Sequence, residues 1–70
     1  MEQTKQELFK IGIIPKGSDC LFFSFEYYGL KLSIREFEDK ILLYKDGLLN
    51  YVAINNNRLI NRLFELRNEN

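Results

Sequence analysis

Histidine and tryptophan are missing from this 70-residue sequence, and cysteine and proline each occur once. Without histidine there is no imidazole base, no Ser–His or Cys–His pair, and no zinc site built on histidine. The lone Cys20 excludes an internal disulfide and a thiolate metal cluster. Because Asp19 beside it disfavours the thiolate, we interpret Cys20 as inert and partly buried. We therefore expect no enzyme, no cofactor, and no catalytic or metal-ligating residues.

Charge of one sign is not in excess, because ten Lys and Arg residues balance ten Asp and Glu residues. The halves are also balanced, with five basic and four acidic residues in 1–35 and five and six in 36–70. This balance argues against a protein that neutralises phosphates. An alternative stays open, in which Phe22 and Tyr28 stack bases while Lys31 and Arg35 bind phosphates on an RNA-binding sheet.

Long apolar runs are missing too, since none approaches the 18 residues that a membrane span requires. The first seven residues are polar and include two acids, which is unlike a secretory signal. A single unpaired cysteine favours the cytoplasm. Abundant Asn, Lys and Ile are typical of AT-rich coding, as in a low-GC bacterium or its phage.

The length and the 46% hydrophobic content predict one globular domain over residues 1–70. A domain of this size buries a small core, and small domains are usually reinforced by disulfides, metals or oligomerisation. Disulfides and metals are disfavoured here, so oligomerisation is the reinforcement that is left and a homodimer becomes the expectation. A small, well-packed monomer stays an alternative.

The first elements are a short helix over residues 2–11, which Gly12 ends, and a loop over residues 15–18. Residues 21–28 are strongly β-forming, and residues 30–35 alternate between apolar and polar. A two-residue turn at Tyr28-Gly29 pairs apolar residues on one face. The other face pairs Glu26 with Lys31, Ser24 with Ser33, and Phe22 with Arg35 as a cation–π pair.

The segment 33–45 is ambiguous between strand and helix. A capping-box pattern begins at Ser33 and apolar residues recur at helical spacing, which favours a helix. Asp46-Gly47 between apolar segments instead favours a second hairpin, with Glu38-Asp39 turning between strands two and three. We take the strand interpretation as the prediction.

Residues 55–57 can cap an amphipathic helix over residues 58–67. The predicted fold is therefore α+β: an N-terminal helix, an antiparallel meander of three to four strands, and a C-terminal amphipathic helix. The acidic cluster of Glu36, Glu38 and Asp39 lacks the spacing of a calcium loop, so we interpret it as a solvated turn.

Aromatic residues are the abundant feature, with six Phe and four Tyr. Alternation directs some of them away from the predicted core, and exposed apolar patches usually mark interfaces. If both helices cover one sheet face, the other is exposed; if they cover opposite faces, all of it is core. The predicted interface residues are Phe22, Tyr28, Tyr44 and Leu48.

These patterns predict a small non-enzymatic protein-interaction module. We expect it to be homodimeric, to bind an as yet undefined protein partner, and to resemble phage-type regulators or inhibitors in size. Nucleic-acid binding is one alternative, and a small ligand-binding domain or enzyme is another.

Overall fold

The computed structural model describes residues 2–14 and 22–69, and it confirms the predicted α+β architecture of helix, four-strand antiparallel meander and helix. Segment 33–45 contributes to two strands, so the strand interpretation is confirmed. Cys20 and the predicted loop over residues 15–18 lie outside the described residues. The elements are α1 (Glu2–Lys10), β1 (Phe22–Tyr27), β2 (Leu30–Phe37), β3 (Lys40–Lys45), β4 (Leu48–Ala53) and α2 (Asn56–Glu69).

The β1–β2 hairpin has the predicted register throughout, from Phe22 opposite Arg35 to Tyr27 opposite Leu30. Its turn residues, Tyr28 and Gly29, have φ angles of 52° and 81°. Two successive positive φ angles define a turn whose twist matches that of the flanking strands. The turn therefore fixes which residues of both strands face the core.

Two more hairpins of the same kind complete the sheet in the order β1-β2-β3-β4. Glu38 and Asp39 form the β2–β3 turn, with φ angles of 47° and 63° and no glycine to relieve the strain. In the third hairpin, Tyr44 pairs with Leu49 whereas Leu43 pairs with Tyr51, so Asn50 is an extra residue in β4. This β-bulge shifts the alternation of the edge strand.

Helix α1 ends one residue earlier than predicted, and Gly12 follows with a φ of 88°. The Ile13 N–H donates to the Leu8 carbonyl at 3.0 Å and the Gly12 N–H donates to the Phe9 carbonyl at 3.1 Å. These are the two bonds of a Schellman motif, and the buried Leu8 and Ile13 supply the apolar residues that usually accompany it. The motif directs the chain out of the helix with Ile13 already in the core.

Helix α2 begins at Asn56, two residues before the predicted start. An asparagine caps it as predicted, because the Asn55 side-chain oxygen accepts a bond of 2.9 Å from the Arg58 N–H. The helix extends to Glu69, two residues beyond the predicted end. Its buried residues are Leu59, Leu63 and Leu66. Phe64 of the same helix is exposed.

Both helices lie on one face of the sheet. Leu8 of α1 and Leu63 of α2 belong to the same buried cluster as Phe23 of β1. The Lys5 ammonium lies 5.8 Å from the centre of the Phe23 ring, and the Thr4 hydroxyl donates to the Asn56 side-chain oxygen at 2.8 Å. We call this face of the sheet the covered face. Of the two helix arrangements left open by the sequence, the described residues adopt the one that leaves the opposite face without a helix.

Candidate interaction surface

The candidate site is the sheet face that the helices leave uncovered, which we call the open face. Side chains alternate along each strand, so every residue next to a core residue points to this face. Within the described part of the chain, the open face consists of Phe22, Ser24, Glu26, Lys31, Ser33, Arg35, Phe37, Lys40, Leu42, Tyr44, Leu49 and Val52.

Strands β3 and β4 carry the apolar half of this face, which we define as Leu42, Tyr44, Leu49 and Val52. Leu42 lies opposite Val52 and Tyr44 lies opposite Leu49, so the four side chains form two adjacent cross-strand pairs. Leu49 is 56% exposed and Val52 is 41% exposed. Four contiguous apolar side chains on a small domain are typical of a contact surface.

Strands β1 and β2 carry the basic half, which we define as Phe22, Ser24, Glu26, Lys31, Ser33, Arg35 and Phe37. Lys40 of β3 lies opposite Phe37 at its end. The guanidinium carbon of Arg35 is 5.9 Å from the centre of the Phe37 ring. The cation–π contact of Arg35 is therefore with Phe37 on its own strand, whereas the sequence predicted Phe22.

A shallow hollow of about 550 Å³ lies at the basic half, near the β3–β4 turn. The residues that line it are Phe22, Ser24, Lys31, Leu32, Ser33, Asp46 and Gly47. The lining combines apolar residues and two serines with one lysine and one aspartate, so its charges balance.

Of the four predicted interface residues, the fold brings Phe22 and Tyr44 to the open face. Tyr28 lies in the β1–β2 turn, where the guanidinium carbon of Arg67 is 4.4 Å from its ring centre and the Tyr27 ring packs edge-on at 4.7 Å. Tyr28 thus contacts the end of α2 rather than the open face.

Leu48 is 74% exposed and lies beside the β3–β4 turn, opposite Lys45. Strand alternation places it on the other side of the sheet from Leu49. Leu48 is therefore exposed but is separated from the apolar half by the sheet itself.

Four apolar residues of the open face were not among the predicted interface residues: Phe37, Leu42, Leu49 and Val52. The Asp46-Gly47 turn was enough to predict that Leu49 lies on the open face, because a two-residue turn there places Leu49 opposite Tyr44. Val52 carried no such signal. Without the bulge at Asn50, strand alternation would send its side chain to the covered face.

A separate polar cleft of about 580 Å³ lies between α1, the β2–β3 turn and the start of α2. It brings together Glu36 and Asp39 of the predicted acidic cluster and adds Glu7 from α1. Among residues 2–14 and 22–69, no group of three or more His, Cys, Asp or Glu side chains is placed to hold a metal ion. The other polar residues that line the cleft are Gln3, Thr4, Asn55, Asn56 and Asn57.

No protein-family model matches this chain, and neither a curated protein nor a solved structure is found to match it. Neither described helix combines the length and apolar character needed to cross a membrane.

Proposed function

We propose that this chain is a non-enzymatic protein-interaction module that self-associates through the apolar half of its open face. The observation that carries the proposal is the contiguous set of Leu42, Tyr44, Leu49 and Val52 on a face that no described helix covers. The proposal includes a cytoplasmic location and a regulatory or inhibitory role of the phage type.

The size of the open face suits a small dimer. Four strands about 4.8 Å apart and about six residues long give a face of roughly 19 by 20 Å. Two such faces in full contact bury at most on the order of 1,000 Å² in total, and contact through the apolar halves alone buries about half of that, which is the size of a weak interface. Full burial of one Leu side chain contributes about 1.5–3 kcal/mol, and a twofold interface counts each residue twice.

Charge decides which part of the open face meets its copy. Lys31, Arg35 and Lys40 outnumber the single acid Glu26, so two basic halves placed directly against each other would repel. The apolar half has no charge. A twofold contact centred on β3 and β4 therefore keeps the cations at the solvated rim.

Pairing through a sheet edge is less favourable than face-to-face contact. The core-facing residues Phe23 and Phe25 of the β1 edge are already buried, so edge pairing would remove little further apolar surface from water. The β4 edge carries the Asn50 bulge, and bulges disrupt the regular row of groups that edge pairing needs. Only face-to-face contact buries the apolar half.

Sedimentation equilibrium at tens of micromolar tests the proposal with two neighbouring leucines. We expect the wild-type chain to sediment at twice its 8.4 kDa mass. Leu49→Lys should shift it to the monomer, because the new ammonium would enter the contact. Leu48→Lys, a more exposed leucine on the other side of the sheet, should leave the dimer intact.

A wild-type monomer at tens of micromolar would refute self-association. Equal weakening by both lysine variants would refute the open face as the contact. Phe22→Glu provides a further variant, and it should weaken the dimer less than Leu49→Lys because Phe22 lies away from the apolar half. Thermal unfolding of each variant by circular dichroism establishes that loss of the dimer is not loss of the fold.

A further inference from the structure

The two edges of the sheet are built differently. Strand β4 is interrupted by the bulge at Asn50, whose side chain accepts a hydrogen bond of 3.1 Å from the Arg62 guanidinium. Strand β1 pairs with β2 without a bulge along its whole length, and it contains neither proline nor lysine. Bulges, prolines and lysines are the devices that usually protect a sheet edge from further pairing. Of the two described edges, β1 is therefore the one that can accept another strand.

The hairpin register shows which backbone groups of β1 face outward. Tyr27 and Leu30 flank a two-residue turn, so they form a hydrogen-bonded pair, and such pairs alternate along an antiparallel ladder. Every second residue of β1, counted back from Tyr27, therefore directs its N–H and C=O groups to β2. The residues that direct these groups outward are Phe22, Ser24 and Glu26. No described strand pairs with β1 on that side.

An extended polypeptide backbone is the complement of this edge. The outward residues repeat about every 6.8 Å, which is the repeat at which an antiparallel strand presents its own N–H and C=O groups. A helix has already paired its backbone groups, and a phosphate chain has no donors, so neither can pair with this row. Addition of a strand to a sheet edge is a recurring mode of peptide recognition.

We propose that the β1 edge binds an extended segment of another protein as a fifth, antiparallel strand. The segment has five residues, of which the first, third and fifth pair with Glu26, Ser24 and Phe22. Its fifth residue is apolar, because it lies beside the Phe22 side chain, which is 44% exposed. Its second and fourth residues point to the covered side and are apolar as well. No charge is required, since Glu26 already has Lys31 opposite it.

A second copy of this chain is a poorer occupant of the edge than a separate segment. The proposed dimer uses the apolar half on β3 and β4, which leaves the β1 edge outside the contact. A second twofold contact, between two β1 edges, would join the dimers into an open-ended chain. A segment of another protein ends the sheet instead. The inference goes beyond the proposed self-association and does not depend on it.

Amide hydrogen exchange followed by NMR tests the edge directly. In the free chain, the N–H groups of Phe22, Ser24 and Glu26 should exchange at least tenfold faster than those of Phe23 and Phe25. A peptide with the core Thr-Val-Thr-Val-Phe between pairs of serines should slow the three outward groups at least tenfold when it saturates the edge. The same peptide N-methylated at its five core residues keeps the side chains but has no core donors, and it should not protect them.

Two substitutions at one position separate the backbone from the side chain. Ser24→Pro removes an outward N–H that β2 does not use, and an edge strand tolerates proline at such a position. It should weaken the peptide at least tenfold in a chemical-shift titration. Ser24→Ala loses the hydroxyl but keeps the N–H, and it should bind within twofold of the wild type. Leu49→Lys on the open face should also bind within twofold.

Protection of the three outward N–H groups in the free chain would overturn the inference, because the edge would already be occupied. Equal protection by the N-methylated peptide would overturn it too, and this comparison decides even where Ser24→Pro does not fold. Loss of binding in Leu49→Lys alone would place the peptide on the open face instead. Loss of the wild-type dimer in a folded Ser24→Pro chain would make a second copy the occupant and so refute the inference.

The two proposals fail separately. A wild-type monomer whose outward N–H groups are protected by the peptide refutes self-association alone. A dimer whose outward N–H groups are not protected refutes only the binding at the β1 edge.

Discussion

The two faces of the sheet are built from the same four strands and yet have opposite roles. Phe22 and Phe23 are adjacent in the sequence, but Phe23 is 1% exposed under the helices and Phe22 is 44% exposed on the open face. The covered face is almost wholly apolar, whereas the open face combines apolar residues with three cations and one acid. Since the described helices cover only one face, we expect stability to depend mainly on that face, and we propose the other as the binding surface.

This comparison also explains why a balanced sequence can have an unbalanced surface. Acidic residues Glu38, Asp39 and Asp46 are in the turns, while Lys31 and Arg35 are within strand β2. Charge that is even along the chain is therefore sorted by the pleat and by the turns. The average over a sequence half cannot detect this sorting.

Truncating the two neighbouring phenylalanines gives the largest expected contrast. Phe23→Ala should lower the free energy of unfolding by about 3–5 kcal/mol, because it leaves a cavity in the core. For a chain of this length, whose total stability is on the order of 4–10 kcal/mol, this approaches complete unfolding. Phe22→Ala should lower it by less than about 1 kcal/mol.

Urea unfolding followed by circular dichroism measures both values, at a concentration low enough to dissociate the proposed dimer. Similar losses for the two variants would contradict the comparison, because they would mean that the open face is also packed. If Phe22→Ala unfolded the chain and Phe23→Ala did not, the open face rather than the covered face would be the packed core.

The turns keep the two faces distinct, because a register slip of one residue would exchange them. Gly47 has a φ of 82°, and a Cβ there would meet no atom within 4 Å. Gly47→Ala should therefore cost about 1–2 kcal/mol through backbone conformation alone. Asp39→Gly should have the opposite sign, with a gain of about 0.5 kcal/mol after the entropy of glycine in the unfolded chain is subtracted.

Differential scanning calorimetry detects both signs as shifts of the melting temperature. A lower melting temperature for Asp39→Gly would mean that the Asp39 side chain stabilises the turn by more than its positive φ costs. The same result for Gly47→Ala and Asp39→Gly would contradict the assignment of strain to the β2–β3 turn.

The helix layer that distinguishes the covered face depends on the start of α2. Asn55→Ala should cost about 1 kcal/mol, because it removes the acceptor of the Arg58 N–H. Asn57→Ala changes a neighbouring exposed asparagine inside the first turn and should alter stability by less than about 0.5 kcal/mol. Chemical denaturation compares the two, and equal costs would contradict the cap at Asn55.

The elements that the sequence predicted well are those set by local chemistry. The register of β1 and β2 follows from Tyr28-Gly29 and strict alternation, and the ends of both helices follow from Gly12 and Asn55. The choice between strand and helix for residues 33–45 was harder, since a capping-box pattern competed with the hairpin signals. Pairing with β1 on one side and β4 on the other decides it in favour of strands.

The parts that escaped prediction depend on contacts distant in sequence. The side of the sheet on which each helix packs is set by the whole core, and no short pattern encodes it. The bulge at Asn50 exposes Val52, and the Asn50 side chain accepts a bond from the Arg62 guanidinium at 3.1 Å, a partner 12 residues away. Tyr28 was predicted as an interface residue because it is aromatic, yet its ring contacts Arg67, which is distant in the sequence.

The smallest expected effect concerns Glu26 and Lys31, which lie directly opposite each other on the open face. Opposite charges at such a position contribute about 0.2–1 kcal/mol, and like charges are destabilising. Glu26→Lys and Lys31→Glu should therefore each destabilise the chain by roughly 0.5 kcal/mol, and the double exchange should restore most of the loss. The coupling should decrease in high salt, because both side chains are exposed. A double-mutant cycle from urea unfolding measures it, and additive single losses would mean that the two residues are opposite in register without interacting.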